Sequence, residues 1–132
     1  MNNAYKKYKE SSVQSASREK LLLLLYEAAI KFTKKAMAAI DNKDIAERGL
    51  NIGRAFDIII ELNTTLNHNA APEIASNLEQ LYMFITDQYT KSNATGKKEP
   101  LEHALKVLEV LYKGWVEAVE KLKREGKLST ST

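Results

Sequence analysis

Apolar residues recur along this chain at helical spacing, and they do so in four separate segments. Ile45, Ile52, Ile59 and Leu66 stand seven residues apart with Phe56 and Leu62 between them. That is the seam of a helix packed nearly parallel to its neighbours. Segment 72–93 repeats the pattern with Ile74, Leu78, Leu81, Ile85 and Tyr89. Segment 100–126 does so with Leu101, Leu105, Leu108, Tyr112, Trp115, Val119 and Leu122. The remaining segment, 17–41, is the most apolar. Ser17 and Asp44 are N-cap residues by type, Pro72 and Pro100 suit first helical turns, and Gly126 suits a stop. Each helix is about 20–25 residues, or about 30–37 Å long. The breaks are short: Asp41-Asn42-Lys43, the run from His68 to Pro72, and residues 94–99. A short loop cannot return the chain to the end it left, so successive helices must alternate in direction. The expected fold is all-α, an antiparallel up-down four-helix bundle over 17–126, preceded by an N-terminal arm (1–16) and followed by a flexible tail (127–132). A length of 132 residues is one domain, and 5 Gly and 2 Pro are too few for an all-β chain rich in turns.

Most site chemistries are excluded by what the chain lacks. With no cysteine, disulfides, thiol catalysis and thiolate metal sites are absent. Di-iron bundles need inward Glu-x-x-His pairs. Thr65 precedes His68 by three residues and Pro100 precedes His103, so neither histidine makes the motif. No HExxH, glycine-rich phosphate loop or GxSxG occurs. No catalytic constellation and no cofactor site is expected. The net charge of +3 sits at the ends: residues 1–20 carry five basic and two acidic groups, and residues 121–132 carry four and one. Between them, 11 basic groups face 14 acidic ones, a poor body for binding nucleic acid. No segment has the ~20 apolar residues of a membrane span, and none reads as a signal peptide. His103 is the one residue with a phosphorelay alternative. Glu102-His103-Ala104-Leu105-Lys106 resembles the motif of histidine phosphotransfer domains, which are also four-helix bundles. Val107 stands where those domains carry a glycine, and the plainer reading is a solvated histidine on a polar helix face.

The residues that fit a plain bundle least are surplus apolar ones. Leu21 to Leu25 cover every direction around a helix axis, since five steps of 100° exceed a full turn. Tyr26, Ala28, Ala29 and Ile30 extend the coat, and Ile58-Ile59-Ile60 repeats the anomaly. Either loops and the arm cover this excess, or it forms a groove for a partner's amphipathic helix. In the arm, Tyr5 and Tyr8 are three residues apart in a polar stretch. They are either a lid that a partner displaces or a permanent cover.

Taken in order, these residues resemble the FliS-type flagellar secretion chaperones, which bind flagellin. The resemblance covers nearly the whole chain. It rests on Asn3-Ala4-Tyr5 with Tyr8, then Ala16-Ser17, Glu19-Lys20-Leu21-Leu22-Leu23 and Leu25-Tyr26, followed by Ala29-Ile30 and Phe32. Arg54-Ala55, Ile58-Ile59, Glu61-Leu62 and Leu66-Asn67 continue it, then Glu73-Ile74-Ala75, Asn77-Leu78, Leu81-Tyr82, Asn93 and Trp115. The chain departs from the pattern at Arg18, usually a proline, and at Ala28, usually a glycine. Asp87-Gln88 stands where relatives often carry basic residues, and loop 94–99 is longer than usual. The resemblance implies a cytosolic chaperone that holds the disordered C-terminal segment of flagellin, prevents premature polymerisation and assists type III export without ATP hydrolysis. An export-gate component or co-chaperone is a further implied partner. Surplus apolar residues then become the expected contact set: Leu23, Leu24, Tyr26 and Ile30, with Ile58, Leu62 and Leu66, and with Leu78 and Tyr82. Tyr5 and Tyr8 would occupy part of the groove in the free protein.

Overall fold

The computed structural model describes residues 17–127. The expected arm (1–16), with Tyr5 and Tyr8, and the expected tail beyond Lys127 lie outside the described residues. Four helices follow one another: α1 (Arg18–Asp41), α2 (Ile45–Thr64), α3 (Pro72–Thr95) and α4 (Glu99–Arg124). No strand occurs among the described residues.

The helix ends have local causes. Ser17 Oγ accepts the N–H of Lys20, and Asp44 Oδ1 accepts that of Glu47. Each cap satisfies a donor that the first turn leaves without a helical partner. α2 stops at Thr64, short of the expected Asn67. There Thr64 and Thr65 hydroxyls donate back to the carbonyls of Glu61 and Leu62, and Asn67 Oδ1 accepts the N–H groups of Asn69 and Ala70. Side chains that bond the local backbone in this way favour a turn over another helical residue. α3 runs to Thr95 and closes on Gly96, whose φ of 73° is left-handed and whose N–H donates to Ser92 O. α4 opens one residue before Pro100. It ends in a Schellman motif, with Gly126 N donating to Lys123 O and Lys127 N to Leu122 O.

The helices form a closed ring. α1 touches α2 and α4, and α3 touches the same two neighbours. The core holds Leu25, Tyr26, Ala29, Ile58, Ile59, Leu62, Tyr82, Ile85, Tyr89, Leu101 and Leu108, among others. Across the ring, α1 and α3 meet through hydroxyls. Tyr26 and Tyr82 share a hydrogen bond of 2.6 Å, and Thr33 Oγ1 lies 2.7 Å from Tyr89 Oη. The single Thr33 proton goes to Ala29 O at 2.7 Å, so Tyr89 is the donor to Thr33. Buried phenols are thereby satisfied instead of orphaned.

Three residues expected to face inward do not. Ile45, Ile74 and Leu81 are exposed, at 70%, 60% and 36%. Ile45 and Ile74 lie in the first turns of their helices, at the ends of the bundle. Leu81 lies at the α4-facing edge of its stripe, where α4 offers little cover.

Candidate partner-binding surface

Surplus apolar surface collects around α3 instead of α1. Within the leucine run, Leu25 is buried and Leu21 to Leu24 are half-buried. On α3, by contrast, Ile74, Leu81, Met83 and Phe84 are all exposed. Two seams flank this helix.

On the α2 side, Gly49, Gly53, Phe56 and Ile60 are spaced four, three and four residues apart, which places them on one helix face. Met83, Thr86 and Thr90 form the facing row of α3 by the same rule. Between them lies an open groove of about 390 Å³, floored by Ile52 and Tyr89 and walled by Phe56, Thr90 and Asn93. The glycines make the space: a Cβ on Gly53 would meet nothing within 4 Å, and one on Gly49 only Asn93 Oδ1 at 3.9 Å. A polar contact stands at each end of the α2–α3 pair. Arg48 Nη2 donates to Asn93 O at 3.2 Å, and His68 Nε2 faces Glu79 Oε2 at 3.9 Å. From Gly49 to Phe56 the groove runs about 10 Å at 1.5 Å per residue, room for two turns of a guest helix.

On the α4 side, helical spacing puts Ile74, Leu78 and Leu81 on one face of α3, and Val110, Gly114 and Ala118 on one face of α4. Val110 is 66% exposed, and a Cβ on Gly114 would again meet open space. Both seams are shallow and apolar beside small α2 or α4 residues, the shape that receives an amphipathic helix.

The expected contact residues divide on this structure. Tyr26, Ile58, Leu62 and Tyr82 lie in the core, each no more than 2% exposed. That corrects their expected place on a surface. The reason is rotation: each points into the bundle with the other buried residues of its helix, and the two tyrosines bury their hydroxyls against each other. Leu23, Leu24 and Ile30 on α1, Leu66 beyond α2, and Leu78 on α3 are half-buried. Only Leu78 belongs to a seam beside α3. Gly49, Gly53, Phe56, Ile60 and Met83 were not among the expected contacts. Their signal was present in the sequence: Gly49 and Gly53 interrupt a helix interior one turn apart, and Ile60 is the outward member of Ile58-Ile59-Ile60.

Burial raises the tyrosines 26, 82 and 89 above their usual 10.0. Tyr112 is raised by its hydrogen bond to the Glu27 carboxylate, and Lys98 by that to Asp41. These are the pairs of a packed scaffold. Among the described residues no cluster of His, Cys, Asp or Glu is arranged to hold a metal, and no helix is long and apolar enough to cross a membrane. His103 is exposed on α4, and Val107, one turn on, is half-buried.

A family model described as "Flagellar protein FliS" matches residues 1–122. The chain is 32% identical over 113 residues to the flagellar secretion chaperone FliS of Vibrio cholerae, spanning 85% of this chain and 83% of that protein. To the flagellar secretion chaperone FliS of Campylobacter jejuni it is 30% identical over 116 residues, spanning 88% and 91%. A crystal structure described as a flagellar chaperone from bacteria superposes with a TM-score of 0.74 at 20% identity, covering 89% of this chain and 96% of that one. At that identity the likeness speaks for the fold. Family match and relatives agree along most of the sequence: the chain belongs to the FliS family of flagellar secretion chaperones, and it is not an enzyme.

Proposed function

We propose that the chain is the cytosolic export chaperone of a flagellin. It holds the disordered C-terminal segment of that flagellin as short amphipathic helices laid along the two seams of α3, which keeps the subunit from polymerising before type III export. The observation that carries this reading is the α2–α3 groove, open at Gly53 and lined by Ile52, Phe56, Tyr89 and Thr90, with exposed Ile60 and Met83 further along the two helices. Ordering a disordered segment costs several kcal/mol, which apolar burial at roughly 25 cal/mol per Å² must offset. Two seams, one carrying exposed Met83 and the other exposed Ile74 and Leu81, supply that burial without repacking the core.

Of the contacts expected from sequence, Leu78 stays in the proposed set, joined by Phe56, Ile60 and Met83. Leu23, Leu24, Ile30 and Leu66, half-buried and outside both seams, are proposed to extend the contact beyond them. The arm, with Tyr5 and Tyr8, is proposed to cover part of a seam in the free protein and to yield to flagellin. An export-gate component or co-chaperone docks on what the cargo leaves uncovered.

Co-expression with the flagellin of the same genome tests the proposal. A 1:1 complex is expected to copurify, and to be lost when the flagellin C-terminal segment is removed. Deleting residues 1–9 is expected to leave the bundle folded and to change the association rate. Equal copurification of full-length and truncated flagellin would overturn the reading.

A further inference from the structure

The seam between α1 and α2 gathers positive charge on a body that is otherwise acidic. Phe32 of α1 is ringed by three cations. Lys31 Nζ lies 5.7 Å from its ring centroid, Lys35 Nζ 5.9 Å, and the Arg54 guanidinium carbon of α2 5.5 Å. Sharing one ring keeps the three within about 12 Å of each other, where salt screens their repulsion only in part. None of them forms an ion pair among the described residues, and Arg54 Nε is buried without a hydrogen-bond partner.

Nearby acids do not relieve this. Glu27 stands four residues before Lys31, the spacing at which a helix pairs opposite charges, yet its Oε2 accepts the Tyr112 hydroxyl at 2.7 Å and so turns toward α4. Asp57, one turn beyond Arg54, lies outside ion-pair distance of it. Glu47 accepts from Asn51. Leu50, one turn before Arg54, is 44% exposed and gives the patch an apolar flank.

We propose that Lys31, Lys35 and Arg54, with Phe32 and Leu50, form a second docking site, which takes an acidic amphipathic segment of a partner protein. Carboxylates of the segment neutralise the three cations, and an apolar side chain covers Phe32 and Leu50. Charge complementarity selects this occupant over a nucleic acid. With 11 basic and 14 acidic groups between Leu21 and Glu120, the body repels a long phosphate backbone, whereas a short peptide reaches only the patch. The site is separate from the groove beside α3. Arg54 faces α1 through Phe32, while Gly53, Phe56 and Ile60 face α3, so one helix presents two surfaces and both are available at once.

The test is an amide NMR titration of the full chain with three probes. They are a synthetic amphipathic peptide of repeating Glu-Glu-Leu-Ala, its counterpart with Gln for Glu, and a single-stranded oligothymidine. The Glu peptide is expected to shift the amides of Lys31, Phe32, Lys35, Leu50 and Arg54, and the Gln peptide to leave them unmoved. The exposed pair K31Q/K35Q, which retains Arg54 and its packing, should weaken the Glu peptide about fivefold or more while flagellin still copurifies. Arg54→Gln should weaken it likewise at an unchanged helical signal. Shifts centred on α3, an equal response to the Gln peptide, no saturable shift at millimolar peptide, or tighter binding of oligothymidine would each overturn the proposal.

Discussion

Lys43 holds a backbone conformation that its side chain disfavours. Its φ is 58°, the only positive value among non-glycine described residues. It closes α1 in a Schellman motif, Asp44 N donating to Ala39 O and Lys43 N to Ile40 O. Glycine is the usual occupant of that position, since a Cβ there crowds the following carbonyl. Lys43→Gly is therefore expected to stabilise the fold by about 1 kcal/mol, read as a raised urea midpoint at constant slope. An unchanged or lowered midpoint would mean that glycine's added freedom in the unfolded chain cancels the relief. The break itself was legible in Asp41-Asn42-Lys43. Which residue turns left-handed was not, because side-chain chemistry favours Asn42, and the choice falls to the hydrogen bonds that end α1.

At the scale of elements, α2 makes the clearest prediction. Gly53 lies inside a helix with open space where a Cβ would go, so Gly53→Ala should gain about 1 kcal/mol from helix propensity alone. Gly53→Leu should also fold, with its side chain lying in the α2–α3 groove, and flagellin should then be lost from copurification. Loss of folding in Gly53→Ala would refute the open-groove geometry, and full binding by Gly53→Leu would refute the groove as the docking site. Four helices, their order and most of their caps were legible because each rests on spacing within a short segment. The proposed docking seam was not. Whether Leu24 or Leu81 is covered depends on how closely a neighbouring helix approaches, and that distance is set by residues on the neighbour, such as Gly49, Gly53 and Gly114. The leucine run drew attention to α1, where adjacent helices cover much of it. Ile74 and Leu81 read as core, and the bundle leaves them open.

The whole molecule is joined across its diagonal by phenols, a feature no local pattern announces: Tyr26 meets Tyr82, and Thr33 meets Tyr89, at 56 residues' separation in each case. Tyrosine suits a surface anchor and a core alike, and for Tyr26 and Tyr82 only the partner hydroxyl decides between them. The pairing has a consequence for stability. Burial, the largest cause in each case, raises Tyr26, Tyr82 and Tyr89 above the 10.0 of a free phenol. Below that value both folded and unfolded phenols are protonated, and the contribution to stability is complete. Above it the unfolded chain releases protons that the folded one retains, so stability falls as pH rises toward the folded values. The expected slope is about 1.4 kcal/mol per pH unit for each such tyrosine. Urea unfolding should therefore be insensitive to pH between neutrality and about 9, then weaken steeply beyond 10. Lysines titrate in the same range, so the informative quantity is the difference between wild type and Tyr89→Phe. That variant should lose about 1 kcal/mol at neutral pH, from the hydrogen bond to Thr33. Its decline above pH 10 should be shallower by one tyrosine's share, so that the two unfolding curves converge as the medium becomes more alkaline. Parallel curves would show that Tyr89 ionises as readily in the bundle as in the unfolded chain, and that the diagonal is wet.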